Sequence, residues 1–310
     1  MTATATTAGG NSARLPDAPF GRMMTAMITP MTSEGALDYG GAARLAEHLV
    51  GDMRNDGLVI SGTTGESPTT TDAEKDRLLR TVIEAVGDRA SIVAGVGTSD
   101  TAHTCELAQQ AERAGAAGLL VVTPYYNKPP QNGLLAHFSK VADSTGLPVL
   151  LYDIPGRTGT PIHTETLVRL AQHPRIVGVK DAKDDPGQAS WVMARTELAF
   201  YCGSDMINLP WLSIGAVGLI SVVGHVVGDR LHEMIDAYRA GDVRMALAIH
   251  RELLPVYTGT FRNQGVINTK AALAMLGLPG GPVRLPLADA TPAEIEQLRA
   301  DLAAGGVKLR

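Results

Sequence analysis

The sequence is poor in cysteine and in positive charge, and each shortage excludes a class of protein. Cys105 and Cys202 are the only cysteines among the 310 residues. Neither belongs to a Cys-x-x-Cys pair or a Cys/His cluster, so the sequence predicts no disulfide framework and no zinc site. Lys and Arg total 27 against 32 Asp and Glu, a formal net charge of -5, which excludes the basic face that nucleic acid or an anionic membrane requires. No apolar run approaches the roughly 20 residues of a membrane helix.

Signals for targeting, metals and nucleotides are missing as well. Residues 1–19 are rich in Thr, Ala and Gly and lack the basic start and apolar stretch of a secretory signal. We interpret them as a disordered tail and expect a cytoplasmic protein. The seven-residue spacing of His225 and His232 is poor evidence for a metal site, and the glycine-containing loops do not match phosphate-binding fingerprints. We therefore expect neither a metal nor a cofactor.

Aliphatic residues are abundant and recur at regular intervals. Hydrophobic residues make up 45% of the chain and aromatic residues only 4%, which predicts a sizeable core of Leu, Val, Ile and Ala. Amphipathic stretches with helical spacing separate short apolar runs. Eight such βα units favour closure into a parallel (β/α)8 TIM barrel over an open sheet. The apolar runs are Met23–Ile28, Leu58–Ser61, Ile92–Val96, Leu119–Thr123, Val149–Tyr152, Ile176–Lys180, Leu198–Cys202 and Val217–Val222.

The pattern after the eighth run is helical throughout. We expect three parts: the tail at 1–19, a catalytic barrel at 20–240 and a C-terminal helical region at 241–310 that covers the barrel or makes subunit contacts. The predicted helices are Asp229–Ala240, Val243–Val256, Val266–Leu276 and Pro292–Ala304.

The residues that follow each strand of a barrel share one face, where barrel enzymes keep their active sites. Lys180 ends the apolar run Ile176–Lys180, where an ammonium group needs a partner or a purpose. Burial disfavours the charged form of lysine, so a neutral amine there could attack a carbonyl carbon and form an imine. The alternatives are that Lys180 extends into water at the barrel mouth or pairs with Asp181.

Three further features of the same face have two interpretations each. The turn Gly62–Gly65 offers hydroxyls and free backbone amides that could hold a carboxylate, or it caps a helix. Tyr152 could move protons beside an imine, or it packs in the core. Arg157 follows a Pro-Gly turn and could bind a second carboxylate through its guanidinium, or it forms a surface salt bridge.

Five motifs carry a resemblance to a known family. From about Gly21 to near Pro286, the sequence resembles the family of pyruvate-dependent class I aldolases and lyases that includes dihydrodipicolinate (4-hydroxy-tetrahydrodipicolinate) synthases and N-acetylneuraminate lyases. The segments Ser67–Thr71 and Leu150–Arg157 look like the actinobacterial form of the synthase. The motifs are Gly62-Thr63-Thr64-Gly65-Glu66-Ser67, Thr123-Pro124-Tyr125-Tyr126-Asn127-Lys128-Pro129, Tyr152-Asp153-Ile154-Pro155-Gly156-Arg157-Thr158, Gly178-Val179-Lys180-Asp181 and Gly218-Leu219-Ile220-Ser221-Val222.

The resemblance implies a lyase that needs no cofactor. Lys180 would form a Schiff base with pyruvate, while Tyr152, Thr63 and Tyr126 would form a proton relay. In the family the second tyrosine of the pair reaches in from the neighbouring subunit. Tyr126 therefore implies a homo-oligomer, expected to be a tetramer built as a dimer of dimers.

The resemblance also implies how the substrates bind. Thr64 would hold the pyruvate carboxylate through its hydroxyl and backbone amide, and Gly203 and Ile220 would line the site through backbone groups. Arg157 would bind the carboxylate of L-aspartate 4-semialdehyde. The implied reaction condenses pyruvate with this semialdehyde to 4-hydroxy-tetrahydrodipicolinate, on the route to lysine and diaminopimelate.

Two departures from the family pattern concern specificity and regulation. The family's Gly-Asp-Asp string reads Gly203-Ser204-Asp205. The positions that bind inhibitory lysine in feedback-regulated relatives carry a different set of residues from the amide, acid and imidazoles expected there, so we predict weak or absent sensitivity to lysine. These positions are Ser99, His103, Asp72 and Lys75.

Two rival functions fit part of the pattern. A lyase that cleaves N-acetylneuraminate or a 2-keto-3-deoxy sugar acid would use the same Lys180 chemistry, although Arg157 and the tyrosine pair count against it. A catalytically silent barrel could bind pyruvate or amino acids as a sensor, although it would have no use for a full set of relay residues. A product assay with the semialdehyde against sugar acids separates these functions.

Overall fold

Eight parallel strands form a closed barrel in the computed structural model, which describes residues 17–309. The fold predicted from the sequence is confirmed, whereas the predicted tail at 1–19 lies almost wholly outside the described residues. The strands are β1 (Met23–Ala26), β2 (Gly57–Ile60), β3 (Ser91–Gly95), β4 (Gly118–Val122), β5 (Val149–Asp153), β6 (Ile176–Asp181), β7 (Ala199–Cys202) and β8 (Gly218–Ser221).

The strands are apolar because both of their faces are buried. Met24, Val59 and Leu120 belong to the cluster that fills the barrel interior, whereas Leu58 and Ile60 belong to the larger cluster that includes the surrounding helices. Alternate residues of a strand point to opposite faces, so β2 supplies side chains to both layers. The barrel closes where Met24 of β1 pairs with Ile220 of β8.

Helices follow the strands and continue beyond the barrel. They are α1 (Tyr39–Gly51), α2 (Asp72–Val86), α3 (Thr101–Ala114), α4 (Gln131–Asp143), α5 (Pro155–Thr158), α6 (Thr164–Leu170), α7 (Pro186–Met193), α8 (Asn208–Ile214), α9 (Gly224–Arg239), α10 (Val243–Glu252), α11 (Leu254–Phe261), α12 (Gly265–Leu276) and α13 (Pro292–Ala304). No helix within residues 17–309 is both long and apolar enough to cross a lipid bilayer.

The prediction of one helix over Val243–Val256 is wrong, because the segment contains the whole of α10 and the start of α11. The chain leaves α10 at Glu252 and begins α11 at Leu254, with Pro255 in the first turn of the new helix. Proline lacks a backbone N–H and is tolerated only in the first turn of a helix. Pro255 therefore marks a helix start, which the apolar spacing alone conceals.

The C-terminal helices reach the mouth of the barrel. Tyr257 and Phe261 of α11 and Val266 of α12 line a cavity together with residues that follow the strands. The barrel supplies the floor of this cavity and the C-terminal region supplies one wall.

Candidate active site

Lys180 lies at the carboxyl end of β6, buried to 4% exposure. Its Nζ lies 4.3 Å from the centroid of the Tyr152 ring, and the two residues are register partners on β6 and β5. Within residues 17–309, no carboxylate forms a salt bridge with Lys180. Burial lowers the pKa of Lys180 to about 8, against the opposing charge of Asp205. The amine is neutral far more often than that of an ordinary lysine.

The two alternative interpretations of Lys180 do not match its surroundings. The side chain does not extend into water, and Asp181 belongs to a different ion cluster. Asp181 follows Lys180 on the strand and therefore points to the opposite face. There its Oδ2 lies 3.8 Å from the Nζ of Lys183.

Tyr152 is a buried phenol that keeps its proton. Burial raises its pKa to about 12, while the charge of Arg157 and the nearby side chain of Thr63 act in the opposite direction. A neutral phenol beside a hydroxyl can pass a proton in either direction without carrying a lasting charge.

The turn that carries Thr63 and Thr64 is closed by its own backbone. Gly65 N donates to Gly62 O at 3.1 Å, and Glu66 N donates to Thr63 O at 3.1 Å. The Oγ1 of Thr29 donates to Gly65 O at 2.7 Å and ties the turn to the end of β1. Thr63 and Thr64 both face the cavity that contains Lys180.

Two adjoining cavities meet at the centre of the site. The larger, of about 430 Å³, contains Lys180 and Gly203, and the smaller, of about 210 Å³, contains Gly62 and Tyr125. Four residues line both, namely Thr63, Tyr152, Ile154 and Arg157. The larger cavity is within the size range of small-molecule sites, and it is the one that exposes the amine to a ligand.

Arg157 stands at the boundary of the two cavities on the short helix α5. Its side chain is exposed, and the ion pairs found within residues 17–309 do not include it. The surface salt bridge considered as its alternative role is therefore not present in the described chain. A guanidinium without a protein partner can bind a carboxylate ligand through two parallel hydrogen bonds.

Gly203 is required for the close approach of Lys180. A Cβ at this position would lie 2.9 Å from Asp181 O and 3.1 Å from the Cε of Lys180. Ile220 is fully buried in the cluster inside the barrel, and Val222 faces the cavity at that end of β8.

Two predicted site residues, Tyr126 and Ile220, line neither cavity, and of the two only Tyr126 is exposed. Its side chain is 92% exposed, and its backbone has a positive φ of 75°. The neighbouring Tyr125 instead lines the smaller cavity.

Sequence reasoning missed an ion cluster directly behind the site. Nζ of Lys183 lies 3.0 Å from Oδ2 of Asp153, and Asp153 also accepts a hydrogen bond from Ile162 N at 3.1 Å. Burial raises the pKa of Asp181 to about 6. The cluster joins the ends of β5 and β6 one residue beyond Tyr152 and Lys180. The signal was present, because residues next to inward-facing ones must face outward.

A buried carboxylate on the other side of Lys180 was also missed. Asp205 accepts hydrogen bonds from Ser221 Oγ at 2.5 Å, Val222 N at 2.9 Å and Val223 N at 3.0 Å. Seven residues of the C-terminal region, which carry no local motif, complete the cavity wall. These are Tyr257, Thr258, Phe261, Arg262, Gln264, Gly265 and Val266. Among residues 17–309, no group of three or more His, Cys, Asp or Glu side chains could hold a metal ion.

Comparisons with known proteins agree on one family. Residues 19–305 match the Dihydrodipicolinate synthetase family. The chain is 66% identical to 4-hydroxy-tetrahydrodipicolinate synthase 2 of Streptomyces coelicolor, over 95% of this chain and 98% of that protein. It is 68% identical to 4-hydroxy-tetrahydrodipicolinate synthase of Acidothermus cellulolyticus, over 93% of this chain and 94% of that protein.

The same agreement extends to solved structures. The crystal structure of DHDPS from Cyanidioschyzon merolae with lysine bound superposes with a TM-score of 0.91 at 39% identity. The match covers 94% of this chain and 99% of that one.

Proposed function

The chain belongs to the dihydrodipicolinate synthetase family, and we propose that Lys180 carries its chemistry. The enzyme condenses pyruvate with L-aspartate 4-semialdehyde to 4-hydroxy-tetrahydrodipicolinate. This reaction is a step of lysine and diaminopimelate biosynthesis. The observation that carries the assignment of the reacting group is the buried Lys180 amine, without a carboxylate partner in the described chain and open to a cavity. This combination suits a lysine that must react with a ketone.

Imine formation is the first step. The neutral amine of Lys180 attacks the keto carbon of pyruvate, and the carbonyl oxygen leaves as water. The hydroxyls and backbone amides of Thr63 and Thr64 are suited to the pyruvate carboxylate, since they line the same cavity. Tyr152 supplies and recovers the protons of this step through Thr63, which lines the same cavity.

Carbon–carbon bond formation follows from the imine. The imine withdraws electrons, so the methyl carbon loses a proton and becomes an enamine that attacks the aldehyde carbon of the second substrate. In this proposal Arg157, which lines both cavities, holds that substrate's carboxylate. The substrate's own amine then attacks the imine carbon, closes the ring and releases Lys180.

We also propose a cytoplasmic homotetramer built as a dimer of dimers. The exposure of Tyr126 supports an oligomer, because a relay residue that lies away from Lys180 in its own chain must serve a neighbouring one. Cys105 and Cys202 are both free, in keeping with a reducing compartment. Light scattering at several protein concentrations measures the assembly, and a monomer that is fully active would overturn the role of Tyr126.

The proposed reaction is tested by borohydride reduction in the presence of pyruvate, followed by peptide mass mapping. We expect a pyruvyl adduct on Lys180 and no turnover by Lys180→Ala. An adduct elsewhere, or an active Lys180→Ala, would reject the mechanism. The sister sugar-acid lyases are separated by a product assay with each substrate.

Arg157→Ala tests the second substrate. It should keep the pyruvate adduct and lose condensation by about 100-fold or more, because a bidentate charge-assisted contact is removed. Arg195→Ala is the matched control, since Arg195 pairs with Glu165 on the outer surface and should leave both steps unchanged.

A further inference from the structure

A second buried lysine joins the C-terminal region to the turn that carries Thr63 and Thr64. Nζ of Lys270 lies 2.6 Å from Oε1 of Glu66, across 204 residues of sequence. The two side chains are only 2% and 1% exposed. An ion pair so deeply buried loses most of its hydration, and it persists only where its geometry and further hydrogen bonds compensate.

Glu66 is part of the turn itself. Its backbone N–H donates to Thr63 O at 3.1 Å, so the peptide of Glu66 is bonded directly to a residue that lines the Lys180 cavity together with Tyr152. Its φ of 55° lies in the left-handed region, which is costly for a residue with a side chain and persists only where the surroundings impose it. Any displacement of the Glu66 side chain is therefore transmitted to Thr63.

The C-terminal region surrounds the carboxylate of Glu66 with donors. Its Oε2 accepts the backbone N–H of Arg284 at 2.8 Å, while Lys270 also donates to Pro282 O at 2.7 Å. The segment that contains Pro282 is itself fixed to the barrel, since Met31 N donates to Gly280 O at 3.1 Å. Both the Glu66 carboxylate and the Lys270 ammonium group therefore form a further hydrogen bond with the backbone of the C-terminal region.

Arg284 braces the chain that follows the turn. Its guanidinium donates to Thr69 O at 2.8 Å and to Glu74 Oε1 at 2.7 Å, and its Nε donates to Gly35 O at 2.9 Å. These contacts fix the segment between the turn and α2. The position of Thr63 and Thr64 is therefore bounded on one side by the barrel and on the other by the C-terminal region.

We propose that Lys270, acting through Glu66, is a positioning residue that holds Thr63 and Thr64 in the geometry that captures pyruvate. This inference rests on the proposed function. Loss of the ammonium would leave a buried carboxylate without its counter-ion, and such a group turns toward water or takes up a proton. Because the Glu66 peptide is bonded to Thr63, the turn moves with it, and a shift of about 1 Å can cost about 100-fold in rate.

The decisive experiment compares Lys270→Met with the double variant Glu66→Gln/Lys270→Met. In the single variant, kcat/KM for pyruvate should fall about 100-fold. In the double variant the neutral amide can still accept from Arg284 N, and it leaves no unpaired charge, so about tenfold of the loss should return. KM for the semialdehyde should stay within about twofold, because the pair does not contact Arg157.

Arg230→Met is the control for replacing a cationic side chain by methionine at an ion pair away from the turn. Arg230 pairs with Glu252 at 2.8 Å on the surface between α9 and α10. This ion pair shares no residue with the hydrogen bonds that hold the turn. It should retain kcat/KM within about twofold of the wild type.

The outcomes separate this inference from the proposed function. Borohydride labelling of wild-type Lys180 by pyruvate tests the proposed function without any variant. If folded Lys270→Met is labelled at low pyruvate within about threefold of the wild-type rate, or if the double variant recovers nothing, the positioning role is overturned. If Lys270→Met does not fold, Glu66→Gln serves instead: a loss of about tenfold in labelling supports the role, and a change below about threefold overturns it.

Discussion

The protein buries two lysines to nearly the same extent and gives them opposite surroundings. Lys180 is 4% exposed and Lys270 is 3% exposed. Lys180 has the face of Tyr152 at 4.3 Å and no carboxylate within salt-bridge distance in the described chain, whereas Lys270 has Glu66 at 2.6 Å. Burial lowers the pKa of both, but at Lys270 the hydrogen bond and charge of Glu66 oppose it. Burial alone does not make a lysine reactive; the missing partner does.

The two regions also differ in the space around the amine. Lys180 faces a cavity of about 430 Å³, so a keto acid can reach the nitrogen. Lys270 has its nitrogen enclosed by Glu66 and by Pro282 O at 2.7 Å. The surroundings of Lys180 therefore suit the proposed covalent role, and those of Lys270 suit the proposed positioning role.

The largest expected contrast is the loss of stability in Lys270→Met. Removal of one partner of a buried ion pair leaves the other uncompensated, which costs about 3–5 kcal/mol of unfolding free energy. Urea denaturation of Lys270→Met against Arg230→Met measures it, and the control should change by less than about 1 kcal/mol. A loss at Lys270 no larger than in the control would break the comparison.

Lys180→Met should instead increase the free energy of unfolding, because burying an amine without a counter-ion destabilises the folded protein. The pKa of Lys180 falls from 10.5 to about 8, so the folded protein binds fewer protons than the unfolded chain. Stability of the wild type therefore rises as the pH increases from about 8 to 10.5. At pH 7 the methionine variant should gain up to about 3 kcal/mol, while its imine formation is abolished. The same urea titration decides, and a destabilised variant would contradict the unpaired state of Lys180.

The pH dependence of imine formation sharpens the same point kinetically. Only the neutral amine attacks pyruvate, so borohydride labelling should increase about fivefold between pH 7 and pH 8, nearly double again by about pH 9, and level off above that. Tyr152 should not contribute to this rise, since its pKa is about 12. A profile that continues to climb toward pH 10 would assign Lys180 an ordinary pKa.

The fold and the burial of Lys180 at a strand end could be predicted because their signals are local. Apolar runs of strand length predict the barrel, and Lys180 is conspicuous because a charged residue ends one of them. The break between α10 and α11, which the sequence analysis did not predict, has a local cause. Pro255 fits the first turn of a helix, but the apolar spacing runs through it without a gap. The order of α9 to α13 was otherwise readable from helical spacing.

The supports of the site could not be predicted, because they join distant residues. Glu66 and Lys270 are 204 residues apart, and Glu66 and Arg284 are 218 apart. No spacing rule connects them, and in the sequence Lys270 is an ordinary lysine in an apolar helix. The ion pairs of Lys183 could in principle have been predicted. Asp153 and Asp181 follow Tyr152 and Lys180 on neighbouring strands, so both carboxylates must face the other side of the sheet. Sequence reasoning considered Asp181 only as a partner of Lys180.

The smallest expected effect concerns inhibition by free lysine. Its ammonium group, like those of Lys180 and Lys270, is stabilised only where a carboxylate is available to pair with it. An ammonium ligand needs a carboxylate that is not already paired. Asp72 has its Oδ2 2.9 Å from Nε2 of His103 and its Oδ1 3.6 Å from Nζ of Lys75, so the one acid among the four positions already has two basic neighbours. The relative from Cyanidioschyzon merolae, which is 39% identical to this chain, has lysine bound in its crystal structure. We nevertheless expect saturating lysine to change the condensation rate of this enzyme by less than about twofold, measured with both substrates near KM. Strong inhibition would mean that the His103–Asp72 contact opens to admit the ligand, and His103→Ala, which frees the acid, would then bind lysine more tightly.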